Sequence, residues 1–455
     1  MQQSIFVQMA SYRDPQLIPT LQDMVRQAVR PECLRIVVSW QHGLDEMIGR
    51  FFAQGFSRWQ VDAAGARPVH TLAFGEATIE LIDVSAMETQ GACWARNMIQ
   101  QRYGGERYTL QVDSHHRFVT GWDRILIDML ESLRADSDKP LLTAYLPEFD
   151  PENDPAGRGQ NPTALHIDQF ASEGALLPLS RSIPDWTLLD KPLPARFYSA
   201  HFAFSDGHFA TTVQHDPEFF FIGEEISIAV RAFTHGYDLY HPHRLIAWHE
   251  YTRRLRVKMW DDHTDENTAN GVVAKPWHER DGLSHRRNRI LFGMDGESGT
   301  SIDFGPYGFG TARSLAQYEA YAGVSFSLRG VKRDTLERQP PVPGAPVPET
   351  EAAYRESLLR SHNLNPHFHQ GMLGDLSNVA RAEFTVFSEK GEVMYQEAMS
   401  TAELMAAMEH GWLRNRFVFF SELDMVPAHY TVRFYAADDV TLREETHPIA
   451  QPLEP

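Results

Sequence analysis

Short apolar runs alternate with amphipathic segments along roughly the first 145 residues of the chain. The apolar runs predict four buried strands, at residues 4–10, 34–40, 78–84 and 108–112. The segments between and after them predict helices that start at Asp14-Pro15 or span residues 91–103 and 122–133. This alternation predicts an α/β fold with a mostly parallel sheet, in which ligands bind beyond the carboxyl ends of the strands.

The rest of the chain is less regular. Residues 147–194 are rich in Pro, Asp, Asn and Gly and predict a long loop or lid. Residues 197–213 predict a hairpin that turns at Ser205-Asp206-Gly207. A helix is predicted at residues 223–235 and a short strand at 245–248.

Five prolines within residues 340–348 (PPVPGAPVP) predict an extended linker. Beyond it, short alternating runs predict strands at residues 382–388, 393–396, 416–420, 430–435 and 440–443. We therefore expect an α/β domain over residues 1–335 with residues 147–194 as an insert, a linker over 336–350, and a small β-rich accessory domain over 351–455.

Composition narrows the class of protein. The formal net charge is −19, with 61 acidic residues against 42 Lys and Arg, which argues against binding to nucleic acid. Two cysteines, Cys33 and Cys93, leave no room for a disulfide framework or a Cys-based zinc site. No run of about 18 apolar residues and no signal-peptide pattern occurs, so we expect a cytoplasmic protein without a membrane span. Homo-oligomerisation stays open.

The sequence LQVDSHHRF, residues 110–118, ends an apolar run in an acid and two imidazoles. Side chains two positions apart in extended chain point the same way, so Asp113 and His115 can share one divalent cation. Mixed oxygen and nitrogen ligands suit Mn²⁺ or a similar first-row ion. For these two residues alone, a polar surface turn is the better explanation, because two ligands do not make a site. His116 has no assigned role.

Three further stretches carry polar groups next to apolar ones. In LIAWHEYTRR, residues 245–254, a strand ends at His249 and cations follow it. In FFFIGEE, residues 219–225, two glutamates open a helix, where acids are also favoured by the helix dipole. In TQGACWAR, residues 89–96, Gly91 permits close backbone approach and Arg96 follows one turn later, a pattern that suits an anion or ordinary helix packing. On its own, His249 is better explained as a half-buried core or surface histidine than as a metal ligand.

Taken together, three segments resemble a glycosyltransferase family: IFVQMASYRDP, GACWARNMIQQRYGGERYTLQVDSHHRFVTGWD and FFFIGEEISIAVRAFTHGYDLYHP. They resemble the GlcNAc-transferase family, whose best-known members modify hydroxyproline on a cytoplasmic protein of ubiquitin ligases. More distantly, the D-S-H, the Trp, the Glu-opened helix and the later His resemble the polypeptide GalNAc-transferases. The resemblance covers roughly residues 4–330 and implies a retaining enzyme with the GT-A fold, a Rossmann-like nucleotide-diphospho-sugar transferase fold.

The resemblance also implies roles for individual residues. It implies that Mn²⁺ (or Mg²⁺) is held by Asp113, His115 and His249. The donor, a UDP-sugar and by resemblance UDP-GlcNAc, is expected at Tyr12, Arg13, Asp14, Gly91, Arg96 and Trp122, with Tyr251 and Arg254 as phosphate clamps. Glu224 and Glu225 are expected to face the donor sugar and the acceptor, and no single catalytic base is assigned.

The resemblance therefore implies a hexosaminyltransferase (EC 2.4.1.-) that moves GlcNAc or a related sugar onto a hydroxyl of a protein, peptide or glycan. Two alternatives remain open. One is a metallohydrolase that uses the same Asp and His residues to activate water. The other is a non-catalytic carbohydrate-binding protein.

Overall fold

The computed structural model describes residues 3–171, 173–254, 256–297, 301–366, 378–409 and 412–449. The chain forms two compact units. The first comprises Met1–Ile167, Glu173–Ala322 and Arg338–Val347, and the second comprises Asp168–Ser172, Gly323–Glu337 and Pro348–Pro455.

The strands of the first part of the chain, numbered in order, begin with β1 (Ile5–Tyr12) and end with β14 (Ala247–His249). Those between are β2 (Leu34–His42), β3 (Ser57–Asp62), β4 (Val69–Phe74), β5 (Ala77–Ser85), β6 (Tyr108–Asp113), β7 (His116–Phe118), β8 (Pro140–Thr143), β9 (Thr163–Phe170), β10 (Leu176–Ser182), β11 (Leu193–Pro194), β12 (Phe202–Asp206) and β13 (Asp238–His241).

The helices in this part of the chain are α1 (Leu17–Gln27), α2 (Gly49–Ala53), α3 (Ala92–Gln100), α4 (Trp122–Ser132), α5 (Phe209–Thr212), α6 (Glu224–Thr234), α7 (Met259–Asp262), α8 (Asp265–Ala269), α9 (Trp277–Phe292) and α10 (Leu315–Ala322). None of the helices in the described part of the chain is long and apolar enough to cross a membrane.

Among the described residues, ten strands form one central sheet in the order β11-β13-β8-β12-β6-β1-β2-β5-β4-β3. The pairs β1–β2, β1–β6, β2–β5 and β8–β13 are parallel. However, β12 runs antiparallel between β6 and β8, and β4 is antiparallel to both of its neighbours. The sheet is therefore mixed, and the expectation of a mostly parallel sheet is corrected.

The main core lies on one face of this sheet and is formed by side chains of the strands and of the helices that cover them. Alternate residues of β1 and β2 are buried completely, and the apolar faces of α1 and α4 pack onto them. Since β1, β2 and β6 are parallel, their carboxyl ends meet at one edge of the sheet. Tyr12, Gln41 and Asp113 therefore lie at that same edge.

The predicted hairpin at residues 197–213 is wrong. Phe202–Asp206 forms β12 inside the sheet, and the short helix α5 follows it. The Ser-Asp-Gly sequence ends β12 and leads into α5. Asp206 is held by Arg134 at 2.6 Å, and its strand pairs with β6 and β8. Residues 147–194 include β9, β10 and β11, so part of the predicted loop is extended chain.

The second unit is β-rich, as predicted. Its elements are β15 (Val324–Ser325), β16 (Gly330–Lys332), α11 (Arg333–Leu336), α12 (Glu351–Glu356), β17 (Leu358–Leu364), β18 (Arg381–Ser388), β19 (Val393–Ser400), α13 (Thr401–Ala406), β20 (Met408–Glu409), β21 (Trp412–Leu413), β22 (Phe417–Glu422), β23 (Pro427–Tyr435) and β24 (Thr441–Pro448). The strand orders are β15-β16-β17-β22 and β19-β18-β23-β24. The predicted α/β fold with a β-rich C-terminal region is confirmed.

Candidate metal centre and cavity

A short antiparallel ladder brings the distant His249 next to the predicted Asp-x-His sequence. Strand β7 pairs with β14, and His116 lies opposite His249 in this register. The backbone N–H of Glu250 donates to the carbonyl of His115 at 3.1 Å. The main chain thus fixes the third predicted ligand beside the first two.

Asp113, His115 and His249 each offer a ligand atom, and these atoms lie within 4.8 Å of one another. Asp113 Oδ2 is 3.7 Å from His115 Nε2 and 3.5 Å from His249 Nε2. Both imidazole nitrogens are buried, and among the described residues neither has a hydrogen-bond partner. Buried polar atoms are normally paired, so two unpaired nitrogens facing one carboxylate fit a divalent cation.

The protonation states of the group suit metal ligation. Burial opposes ionisation of Asp113, but His249 and Arg96 hold the pKa of its carboxyl well below the usual range. Burial, with the neighbouring His201 ring, lowers the pKa of His249 well below that of a free imidazole. A carboxylate and a neutral imidazole are the forms that bind metals.

Arg96 binds the other oxygen of Asp113. Its Nη2 lies 3.0 Å from Asp113 Oδ1, and its Nη1 lies 2.9 Å from Glu224 Oε1. The side chains of Arg96 and Glu224 are only 6% and 5% exposed. His215 approaches the second oxygen of Glu224 at 3.4 Å. Arg96 and Glu224 thus form a buried ion pair directly behind the candidate metal ligands.

Glu225 has a different environment from its neighbour. The Tyr145 hydroxyl and the backbone N–H of Ala200, at 2.8 Å, both donate to its carboxylate. No arginine pairs with it directly among the described residues. Burial and the nearby charge of Glu224 raise the pKa of Glu225 to about 7.

These groups open into one cavity of about 480 Å³. Nine of the predicted residues line it: Tyr12, Gly91, Arg96, Asp113, His115, Glu224, Glu225, His249 and Tyr251. The same wall carries three cations that follow β14 in the sequence: Arg253, Arg256 and Lys258. A compact negative ligand with a metal ion fits this combination of charges.

Four predicted residues do not line the cavity. Arg13 pairs with Asp262 at 2.8 Å, and Arg254 is exposed and pairs with Asp150 at 3.1 Å. Trp122 is completely buried in the core, where its Nε1 donates to the carbonyl of Met24 at 2.9 Å.

The fourth of these residues, Asp14, is also buried and contacts His115. His116, which had no predicted role, is completely buried, and its Nδ1 lies 2.9 Å from the carbonyl of Asp113. Burial and the nearby His115 lower the pKa of His116 to about 3.

The sequence pattern did not single out three residues of the site. His201 stacks on His249 with ring centroids 4.2 Å apart, and Tyr145 binds Glu225. Arg256 lies 2.9 Å from His115 Nδ1. The run of cations after His249 continues to Arg256 and is a signal that could have identified it. Nothing in the sequence around His201 or Tyr145 distinguishes them from core residues.

The sequence matches the model of one protein family, described as glycosyltransferase (GlcNAc), over residues 4–328. No curated protein matches the chain. Among solved structures it is similar to GalNAc-T7 with UDP, GalNAc and Mn²⁺, at 12% identity over 66% of this chain and 53% of that chain, with a TM-score of 0.42. The chain thus spans about half the length of that protein.

Two other similar structures come from a bacterium and an archaeon. TarS of S. aureus is 9% identical over 98% of this chain and 77% of its own, with a TM-score of 0.36. The mannosyltransferase PcManGT of Pyrobaculum calidifontis, in complex with GDP-Man and Mn²⁺, is 12% identical over 64% of this chain and 70% of its own, with a TM-score of 0.35.

Proposed function

Because the chain belongs to the glycosyltransferase (GlcNAc) family, we propose that it is a metal-dependent enzyme of the GT-A fold that transfers a sugar from a UDP-sugar to a hydroxyl group. The observation that supports this proposal best is the convergence of Asp113, His115 and His249 in a cavity lined by cations. We further propose UDP-GlcNAc or a related UDP-sugar as the donor.

The ligand set favours Mn²⁺ over Mg²⁺. Mg²⁺ prefers oxygen ligands in a regular octahedron, whereas two imidazole nitrogens and one carboxylate suit a borderline first-row ion. When bound, such an ion supplies positive charge that stabilises a departing nucleoside diphosphate. Asp113, His115 and His249 would hold it.

The chain's own residues complete the electrostatic environment. We propose that Arg253, Arg256 and Lys258 bind diphosphate oxygens, which lowers the cost of the charge that develops on the leaving group. The predicted clamp Tyr251 lines the same cavity, but its hydroxyl donates to the carbonyl of Leu146 at 2.7 Å. Glu225 lines the same cavity.

With its pKa near 7, Glu225 is divided between a hydrogen-bond donor and an acceptor at neutral pH. We propose that it positions a hydroxyl of the sugar or of the acceptor. Glu224, fixed by Arg96, shapes the neighbouring wall. We propose a retaining reaction in which the leaving phosphate takes the proton of the attacking hydroxyl, so that no side chain acts as the base.

The wider predictions belong to the same proposal. We propose residues 1–335 as the catalytic domain with residues 147–194 as a lid or insert, residues 336–350 as a linker and residues 351–455 as an accessory domain that meets a protein, peptide or glycan acceptor. Hexosaminyl specificity, cytoplasmic location and homo-oligomerisation stay predictions.

The test combines ligand binding with turnover. We expect a UDP-sugar to raise the unfolding temperature of the wild type only when Mn²⁺ is also present, because a ligand stabilises the state that binds it. Asp113→Asn and His249→Ala are expected to abolish this shift and to lower Mn²⁺-dependent turnover on the order of 100-fold or more. His278→Ala removes an exposed imidazole and serves as the control.

Different outcomes support different functions. A folded Asp113→Asn variant with full activity in chelator would exclude the metal role. Hydrolysis of phosphate or amide bonds without binding of any UDP-sugar would indicate a metallohydrolase. Glycan binding that is indifferent to Asp113→Asn would indicate a carbohydrate-binding protein.

A further inference from the structure

Asp14 lies at the junction between β1 and α1 and is almost completely inaccessible, with its side chain only 2% exposed. Its Oδ2 is 2.6 Å from His115 Nδ1 and accepts a hydrogen bond from Ser114 Oγ at 2.7 Å. Its Oδ1 accepts from the backbone N–H of Gln16 at 2.8 Å. Both carboxylate oxygens are therefore used inside the protein, and Asp14 does not line the cavity.

The contact with Asp14 determines which nitrogen of His115 carries the proton. A proton on Nδ1 gives a charge-assisted hydrogen bond to Asp14, which is roughly twice as strong as a neutral one. The other tautomer would place a bare nitrogen against a buried carboxylate oxygen at 2.6 Å, and two acceptors repel each other. The Nδ1–H form is therefore strongly favoured.

A second group contacts the same nitrogen, because Arg256 Nη1 lies 2.9 Å from His115 Nδ1. If Nδ1 accepted from Arg256, the repulsion from Asp14 would remain. With the proton on Nδ1, both His115 and Arg256 face the carboxylate, since Arg256 Nη1 is 3.8 Å from Asp14 Oδ2. This form places two N–H donors 2.9 Å apart, and the attraction of both groups to the Asp14 carboxylate offsets their repulsion.

We propose that Asp14 is a positioning residue that holds His115 as the Nδ1–H tautomer and presents its bare Nε2 beside Asp113 and His249. This inference rests on the proposed metal-dependent function. It gives Asp14 a role different from the nucleotide contact implied by the family resemblance. A carboxylate behind a ligating imidazole fixes ring orientation and raises ligand basicity, and its loss commonly weakens metal affinity 10–100-fold.

The test measures metal binding by the full-length chain, without substrate. Mn²⁺ affinity is obtained from the electron paramagnetic resonance signal of the free ion during titration. We expect Asp14→Asn to weaken Mn²⁺ binding at least about tenfold. The matched control is Asp23→Asn on α1, where the carboxylate accepts from the backbone N–H of Phe118 at 2.6 Å and does not contact His115. This control is expected to leave Mn²⁺ affinity within about threefold of the wild type, below the loss typical of an outer-shell partner.

A double-mutant cycle with His115→Ala separates positioning from general destabilisation. If Asp14 acts through His115, Asp14→Asn has little further effect on Mn²⁺ affinity once the imidazole is gone. Equal effects of Asp14→Asn in both backgrounds would overturn the inference. Unchanged Mn²⁺ affinity in Asp14→Asn, with weakened binding of UDP in chelator, would instead restore the nucleotide contact.

A second measurement needs no Asp14 variant. In metal-free wild type labelled with ¹⁵N-histidine, the His115 ring is expected to show a protonated Nδ1 and a bare Nε2, with His115→Ala identifying the signals. An Nε2–H tautomer would overturn the role of Asp14 but would leave the proposed metal centre in place. If the wild type binds no Mn²⁺ at all, the proposed metal centre itself fails, and the role of Asp14 fails with it.

Discussion

Adjacent glutamates at the start of α6 lie in opposite electrostatic environments. Burial would raise the pKa of both carboxyls. For Glu224 the paired Arg96 and the neighbouring His215 outweigh burial and lower the pKa. Glu225 has only neutral donors as direct partners, and the negative charge next to it adds to the effect of burial. One position therefore carries a fixed charge, and the next titrates near neutrality.

The raised pKa of Glu225 predicts a measurable pH dependence of stability. The pKa of Glu225 is 4.5 in the unfolded chain and about 7 in the folded chain. At pH values between these two, the folded state binds a proton that the unfolded state lacks. The resulting stabilisation is complete below pH 4.5 and is lost as the pH rises through 7. We expect the wild type to lose on the order of 2 kcal/mol of unfolding free energy between pH 5 and pH 8 relative to Glu225→Gln.

Urea unfolding in chelator at the two pH values checks this prediction. Glu152→Gln, which changes an exposed glutamate, serves as the control and is expected to follow the wild type. If Glu225→Gln loses as much stability as the wild type on going to pH 8, Glu225 does not titrate in this range.

At the scale of elements, the start of α3 depends on the absence of a side chain. Gly91 has a φ of +124°, and a Cβ at this position would lie 2.8 Å from the Phe220 ring and 2.9 Å from the Phe220 carbonyl oxygen. The main chain of one cavity wall thus packs against that of another. Only glycine combines this backbone conformation with so close an approach.

Gly91→Ala is therefore expected to destabilise the chain by about 1–3 kcal/mol and to weaken donor binding. Gly49→Ala is the matched control because no atom lies within 4 Å of a Cβ there and the residue is helical. It is expected to be neutral or to stabilise the chain by up to about 1 kcal/mol. Denaturant unfolding of both variants checks the prediction, and equal effects would contradict it.

Helix α7 is attached to the end of β1 through one carboxylate. Tyr12 donates to Asp262 Oδ2 at 2.6 Å, and Arg13, with its φ of +44°, pairs with the same group at 2.8 Å. Met259 at the start of α7 lines the cavity. The attachment therefore helps to hold one part of the cavity wall.

Asp262→Ala is expected to speed amide hydrogen exchange in Met259–Asp262 about fivefold, the effect of losing about 1 kcal/mol from a partly buried ion pair. Hydrogen-exchange mass spectrometry checks this outcome. Asp128→Ala removes an exposed aspartate–arginine pair on α4 and is expected to leave α7 unchanged. Unaltered exchange in Asp262→Ala would mean that other contacts hold the helix.

Local patterns predicted most elements but few of the contacts between them. Alternation and capping signals located β1, β2, β6 and α4 to within a few residues, because such signals act over one element. The Asp-x-His spacing pointed to a ligand pair for the same local reason. By contrast, β12 was misread as one arm of a hairpin, since its partners lie far away in the sequence.

The roles of the site residues were also hard to predict, because they depend on contacts between elements that are distant in the sequence. The buried contact of Asp14 with His115 and the stacking of His201 on His249 depend on the packing of separate strands. Trp122 was expected near the donor because it follows the motif closely, yet its ring packs against Phe118 in the core. Proximity in sequence to a motif does not determine which way a helix faces.

At the scale of the whole molecule, the predicted end of the α/β domain at residue 335 falls inside the second compact unit. That unit includes Gly323–Glu337, where β15 and β16 lie. Val331 of β16 is completely buried and pairs with Leu359 of β17. A chain that ends at residue 335 keeps β16 and loses β17.

We therefore expect chain 1–335 to aggregate more than chain 1–322. The shorter chain ends before β15. The longer chain keeps the β15–β16 hairpin, but without β17 the outer edge of β16 is unpaired and Val331 loses its strand partner. Size-exclusion chromatography with light scattering of the two purified chains measures the difference. Equal aggregation would show that β15 and β16 do not need β17.

The contacts around His115 also have a consequence for the order of folding. Asp14 and His115 are 101 positions apart, and His115 and Arg256 are 141 apart. Contacts between such distant positions form late, because the entropy of closing long loops is lost before the contacts stabilise the chain. The pocket for the ion therefore takes shape only after β1, β6 and the β7–β14 ladder have met. During refolding, capture of Mn²⁺ should lag behind the recovery of helical circular dichroism and mark the arrival of the last strand.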